Sequence, residues 1–340
     1  NEGRGTGLGF LDYRGTETDY GFVVTSPQNK GTDSDVDAQV LVFDQDLKYG
    51  GYDWQRGGAT PWAPPEEPTY LLVQSTEQPH TYNDSAATAS ALTSGTKTYY
   101  GSINVDPQGQ QTVPIARDVQ ATREMSVGVV TSVPISHATP AAAYANNVSR
   151  DDFQDLARDL LGLSSVAHRQ APAGVDVLLG AGAGDVDEKS RDQGANFVPG
   201  NRYLTAADRE RIDVDHGGEY VAVERVAGVS GSEALQAATQ RAIDEGKRLF
   251  GMFGVGQTDG SPKGSHLPYR TADGRYDPTP GGYGKPDDYD GGDLKENPTL
   301  AEMTTAALAV LEQNPHGFWL MVEAGDVDWA NHENNLDASI

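Results

Sequence analysis

The 340 residues include no cysteine, which excludes disulfide bridges and thiolate metal sites and leaves the compartment open. Positive charge is scarce: 25 Lys and Arg stand against 50 Asp and Glu, a formal net charge of −25. Nucleic acid and anionic membrane surfaces are bound through basic patches, so this balance argues against both as partners. Long apolar runs are missing too, since none nears the ~20 residues that cross a bilayer, and no signal peptide is visible. No internal repeat is found. The Gly-Ala run 180–184 has no P-loop Lys-Ser/Thr behind it, and there is no Gly-x-Ser-x-Gly elbow. So acidic a chain repels anions, and a site for an anionic substrate would need positive charge from metal ions or arginine.

What is present reads as alternating strands and helices. Val127-Gly128-Val129-Val130-Thr131-Ser132-Val133 is a buried-strand run, and Tyr70–Val73, Val175–Leu179 and Phe318–Val322 are further strands. Thr139-Pro140 predicts a capped helix start with proline at its first position, and Asp151 opens a helix with Phe153, Leu156, Ala157, Leu160 and Leu161 on one face. Ser232 is expected to cap a helix through Phe250, and Asn297-Pro298 one from Thr299 to Gln313. This alternation predicts a parallel sheet with helices on both faces, where sites lie beyond the carboxyl ends of the strands. Residues 1–68 read as loops with one or two strands. Segment 252–296, with Asp273, Asp277, Asp287, Asp288, Asp290 and Asp293 among Gly and Pro, reads as a solvated insertion; its spacing does not fit an EF-hand. The whole, 1–340, is expected to be one domain.

Two segments carry chemistry. Asp84-Ser85-Ala86-Ala87-Thr88-Ala89-Ser90-Ala91-Leu92 puts an acid and a hydroxyl at the start of a helix of small residues. Unpaired N–H groups and the macrodipole favour an anion there, and a serine so placed is either an ordinary cap or a nucleophile. In Glu323-Ala324-Gly325-Asp326-Val327-Asp328-Trp329-Ala330-Asn331-His332, Glu323 ends a strand expected to be buried. Asp328 and His332, four apart, would share one helix face. That spacing suits Zn²⁺, and the Glu323 oxygens suit a harder Mg²⁺; the alternative is a strand-end acid beside an ordinary Asp–His helix pair.

Asp84-Ser85-Ala86-Ala87-Thr88-Ala89, with Gly95-Thr96-Lys97-Thr98-Tyr99-Tyr100-Gly101 close behind, resembles the nucleophile segment of the alkaline phosphatases. Phe318–His332 is similar to that family's Met-Val-Glu-Gly, three residues, Asp, three residues, His motif, departing only at Ala324. Ser136–Arg150 resembles the stretch that carries its magnesium residues and phosphate-binding arginine. The resemblance spans about 69–104, 126–184 and 298–340. It implies a three-layer α/β/α fold around a central, mostly parallel sheet, incomplete at both ends. It implies phosphate monoester hydrolysis through a phosphoserine on Ser85, with two Zn²⁺ and one Mg²⁺. Arg150, with Asp84 and His137, would lie at the substrate; Glu323, Thr139 and His137 would belong to the magnesium region, and Asp328 and His332 to a zinc. Small phosphomonoesters as partners, a homodimer and a periplasmic or extracellular location follow from the same resemblance.

Some members of the family carry Asp and Lys where this chain has His137 and Trp329; the chain resembles another branch with His and Trp at those places, so the magnesium outer shell is expected to be weaker or differently built. The family's Gly-Asp-Gly-Met-Gly motif, its later Asp-His pair and its last zinc His are absent from these 340 residues. They are expected before Asn1 and beyond Ile340, and the piece alone is expected to be metal-poor and inactive. Rival readings are a phosphodiesterase or sulfatase of the same superfamily, and a non-catalytic phosphate- or metal-binding protein. The serine favours monoesters over diesters, and no Cys/Ser-x-Pro-x-Arg context surrounds it.

Overall fold

In chain order the elements are α1 (Ser85–Ser94), α2 (Ile115–Arg123), β1 (Ser126–Pro134), α3 (Ala138–Ala142), α4 (Phe153–Leu160), β2 (Val177–Ala181), β3 (Val186–Asp187), β4 (Gly200–Asn201), α5 (Ala206–Ile212), β5 (Tyr220–Glu224), α6 (Gly231–Glu245), β6 (Arg248–Met252), α7 (Gly291–Glu296), α8 (Leu300–Leu311), β7 (Phe318–Glu323) and α9 (Gly325–His332). The computed structural model describes residues 34–41 and 84–332, save 97, 99, 100, 107, 108, 190, 191, 257–265, 269–288 and 290. The strand expected at Tyr70–Val73 and the acids Asp273, Asp277, Asp287, Asp288 and Asp290 lie outside the described residues.

Five strands form one sheet in the order β5–β6–β2–β1–β7, and every pairing is parallel. Strand alternation sorts the side chains by face. Val127, Val129, Leu178 and Phe250 join Ala116 of α2, Ala157 and Leu160 of α4 and Ile212 of α5 in one core. Val130, Val177, Leu179 and Leu249 join Leu235 and Ala242 of α6 and Met303, Ala307 and Leu311 of α8 in the other. The three-layer α/β/α arrangement is therefore present, with helices on both faces of a parallel sheet. A third, smaller cluster consists mainly of alanine: Ala86 and Ala89 of α1 against Ala138, Ala141 and Ala142 of α3. Small side chains let these two helices approach closely. The Thr93 hydroxyl and the Asn104 amide fix the contact by donating to the Ala142 carbonyl, at 2.8 and 2.7 Å.

Several boundaries differ from the sequence expectations, each for a local reason. Ser230, not Ser232, caps α6 by accepting from the Glu233 N–H, and Gly246 at φ 61° ends the helix. Leu249 and Phe250 are therefore in β6, paired with β2. α3 begins at Ala138 behind His137, which makes no side-chain cap. Pro140 is thus the third helical residue, still within the first turn where no N–H is needed. α4 follows Asp152 rather than Asp151. Thr299 caps α8 in a capping box with Glu302, which leaves the Asn297 side chain to accept from the Gly254 N–H at 2.6 Å. β7, expected to be buried, is one of the two edge strands among the described residues, and Val322 is exposed.

The described ends of the 252–296 segment are only partly solvated. Asp293 and Glu296 are buried, and Arg225 donates to both, at 2.6 and 2.8 Å. Arg225 also donates to the Gly254 carbonyl at 2.9 Å, so the two ends of the segment are pinned side by side. A buried charge is tolerated only when it is paired, and here one guanidinium serves two carboxylates.

Candidate active site

Ser85 is the first residue of α1, and Asp84 is its cap, in extended conformation at φ −105° and ψ 171°. One Asp84 carboxylate oxygen accepts from the Ala87 N–H at 3.1 Å. The other accepts from the Gly101 N–H at 3.1 Å and from Arg150 Nη1 at 3.0 Å. Arg150 Nη1 also donates to Ser85 Oγ, at 3.2 Å. The Arg150 backbone is tied to the same loop, since its N–H donates to the Gly101 carbonyl at 2.7 Å. The Asp84 side chain is 5% exposed and that of Arg150 is 27% exposed, so the acid is the fixed partner and the guanidinium keeps a face toward solvent. The arrangement aims a planar cation and the open end of α1 at one hydroxyl.

A second group gathers at the carboxyl ends of β1 and β7. Thr131 is paired in register with Glu323, and its hydroxyl donates to the Glu323 carboxylate at 2.6 Å. Burial raises the Glu323 carboxyl above its ordinary value; the Thr131 and Thr139 hydroxyls oppose that by hydrogen bonding, and Asp328 and Asp326 add repulsion. Thr139 therefore turns its hydroxyl to Glu323 and does not cap α3. Desolvation, with the Arg150 and Arg202 charges beyond it, pushes His137 down to about 3, so its imidazole is neutral. Phe153 stacks on its ring at a centroid distance of 5.5 Å, with Tyr203 at 5.6 Å and Trp329 at 6.2 Å. The Tyr203 hydroxyl is 3.4 Å from His137 Nε2 and donates to buried Asp185 at 3.0 Å.

The fit of the expected metals divides in two. A half-buried carboxylate with hydroxyls from Thr131 and Thr139, repelled by two further acids, is an oxygen-donor set that a hard divalent cation would relieve, which fits Mg²⁺. The two residues expected at a zinc stand together only as a pair: His332 Nε2 is 3.5 Å from Asp328 Oδ2, and both side chains are exposed on α9. A catalytic zinc takes three protein ligands, and no group of three His, Cys, Asp or Glu placed to hold a metal occurs among the described residues. Among the described residues the expected zinc set is thus incomplete.

Sequence reasoning missed Thr131, Tyr203 and Asp185. A threonine inside a β-branched run carries no separate signal, and the other two belong to a region outside any motif. Fold and site together define a parallel α/β protein that presents a serine, an arginine and oxygen donors beyond the carboxyl ends of its strands. Residues 68–340 match the family model described as alkaline phosphatase, and the chain belongs to that family. It is similar to alkaline phosphatase 4 of Bacillus subtilis, 27% identical over 274 residues that make up 80% of this chain and 43% of that protein. An alkaline phosphatase of Escherichia fergusonii is 29% identical over 78% of this chain and 52% of its own length. A crystal structure of a cold-active alkaline phosphatase from a psychrophilic Shewanella species aligns at TM-score 0.48 and 23% identity, covering 94% of this chain and 55% of that one. The chain spans about half the length of the curated relatives it matches.

Proposed function

We propose that the protein containing this chain hydrolyses phosphate monoesters through a phosphoserine formed on Ser85. The observation that carries the reading is the Arg150 guanidinium, 3.2 Å from Ser85 Oγ and fixed at 3.0 Å by Asp84 at the open end of α1. A phosphoryl group placed on Ser85 would have two equatorial oxygens within reach of the planar guanidinium, with the first-turn N–H groups of α1 on its other side. Asp84 is already the acceptor of three N–H donors, so its task is to orient Arg150 rather than to take a proton.

Two Zn²⁺ and one Mg²⁺, when bound, would supply Lewis acidity and an ionised nucleophile at neutral pH. Glu323, Thr139 and Thr131, with His137 beside them, would hold the magnesium, and Asp328 and His332 would contribute to a zinc. Neutral His137 keeps a lone pair for a metal or its water and adds no charge next to Arg150. The reading includes small phosphomonoesters as substrates, a homodimer, and a periplasmic or extracellular location. Among the described residues no helix is long and apolar enough to cross a membrane.

The test compares hydrolysis of p-nitrophenyl phosphate and bis-p-nitrophenyl phosphate by the full-length protein, and seeks phosphate on Ser85 by mass spectrometry after acid quenching. Faster monoester turnover, and a phosphopeptide lost in Ser85→Ala, are expected. Faster diester turnover, or monoester turnover that survives Ser85→Ala, would overturn the reading.

A further inference from the structure

α9 carries Asp328 and His332, yet it hangs from an edge strand and exposes both side chains. Something other than sheet pairing must set its position. Its first residue approaches β1 closely: a Cβ added to Gly325 would lie 2.4 Å from Val133 Cγ1. The Gly325 N–H donates to the Ser132 hydroxyl at 3.0 Å. Ser132 lies within the register irregularity between Val130 and Pro134, where β1 has no partner position on β2, and its carbonyl accepts the Leu267 N–H at 2.8 Å. Ser132 is therefore a junction, with the helix start on its hydroxyl and the 252–296 segment on its carbonyl.

The residue beside that junction is His266, which is 1% exposed. Its Nδ1 is 2.7 Å from the Leu267 carbonyl and 3.0 Å from Asp326 Oδ1, in the first turn of α9. The Leu267 carbonyl is an acceptor, so Nδ1 carries the proton and donates it there, while Asp326 Oδ1 stands at ion-pair distance from the same nitrogen without a hydrogen bond of its own; the Tyr289 hydroxyl, 2.8 Å from Nε2, donates to the other nitrogen. The edge of the ring meets Trp329 at a centroid distance of 5.0 Å. One imidazole thus holds a carboxylate and an indole on the same face of α9, at positions two residues before and one residue after Asp328.

We propose that His266, oriented by Tyr289, is a positioning residue that straps α9 to the carboxyl end of β1 and thereby sets where Asp328 and His332 stand. The mechanical part is independent of any metal; its consequence for zinc rests on reading Asp328 and His332 as ligands. The 252–296 segment then serves the site through its inner residues, and pinning its two ends by Arg225 gives the strap a fixed base.

Hydrogen exchange of the full chain tests the strap directly. In His266→Ala the amides of residues 325–332 should exchange roughly tenfold faster, the factor expected when one polar contact to Asp326 and the ring packing on Trp329 are lost together. Amides of β2 and β6 should be unchanged. His266→Asn, whose amide N–H can stand where Nδ1–H stood, should restore most of the protection, and Tyr289→Phe should give an intermediate loss. Unchanged exchange in α9, or equal acceleration in α9, β2 and β6, would overturn the proposal. Zinc affinity by competition with a chelating dye separates the two readings. Faster exchange with weaker zinc binding supports both, whereas faster exchange with unaltered zinc binding refutes the ligand role of Asp328 and His332 and leaves the strap standing.

Discussion

Asp84→Ala removes three interactions at once: the cap on Ala87, the anchor for Gly101 and the partner of Arg150. A lost side-chain cap costs about 1 kcal/mol. A hydrogen bond from a charged partner is worth roughly 1.5–3 kcal/mol, but Arg150 can rehydrate through its exposed face, so about 1 kcal/mol is the fair share for the pair. The Gly101 bond adds about 1 kcal/mol more. The three share one carboxylate and are not independent, which sets a loss of about 2–3 kcal/mol for the alanine variant. Asp84→Asn keeps one acceptor oxygen and should lose about half as much. Urea unfolding, followed by tryptophan fluorescence with the slope held equal, reads both values from the midpoints. Equal losses in the two variants, or a loss under about 0.5 kcal/mol for alanine, would refute the idea that Asp84 organises the serine and the arginine.

Arg150→Lys keeps the charge and loses the fork, so monoester turnover should fall about 10- to 100-fold, with inorganic phosphate inhibiting less; steady-state kinetics would show it. Gly325→Ala should cost about 1–3 kcal/mol in urea unfolding, because its Cβ would meet Val133 Cγ1 at 2.4 Å. Burial and the neighbouring Asp155 charge hold Asp152 up to about 7, against an ordinary value near 3.8. The folded state therefore binds the extra proton between those values, and stability should fall as pH rises from about 4 to about 7. Asp152→Asn should flatten that part of the melting-temperature profile, and an unchanged slope would count against the assignment. His137→Asp would put a carboxylate beside Arg150 and Arg202 and should alter the Mg²⁺ dependence of activity; identical titration curves would refute a role for His137 near that metal.

Much of the fold was legible because it repeats in short periods. The β-branched run at 127–133 and the apolar stripe of α4 announce burial by their spacing, and both contribute to the core. The Asp84-Ser85 helix start was legible for a different reason: capping is decided by residues within one turn of each other. Boundaries set by competition were not legible. Thr139 looks like a cap, but its hydroxyl has a better partner in Glu323, which arrives from a strand almost two hundred residues later. Ser230 and Ser232 are both competent caps, and only the packing of α6 on β5 and β6 selects the first. The buried ends of the 252–296 segment were read as solvated because acids among glycines have no local partner; Arg225 supplies one from the end of β5.

The sequence by itself determined the alternation of strands and helices, the acid–serine cap, and the four-residue spacing of Asp328 and His332, since each depends on neighbours within a turn or a strand. Tertiary structure alone decided that Arg150 reaches Ser85, that Thr131 and Thr139 share Glu323, and that His266 meets Asp326 and Trp329. Those contacts join residues 60 to nearly 200 positions apart, and a parallel sheet brings such residues together only where its strands end side by side.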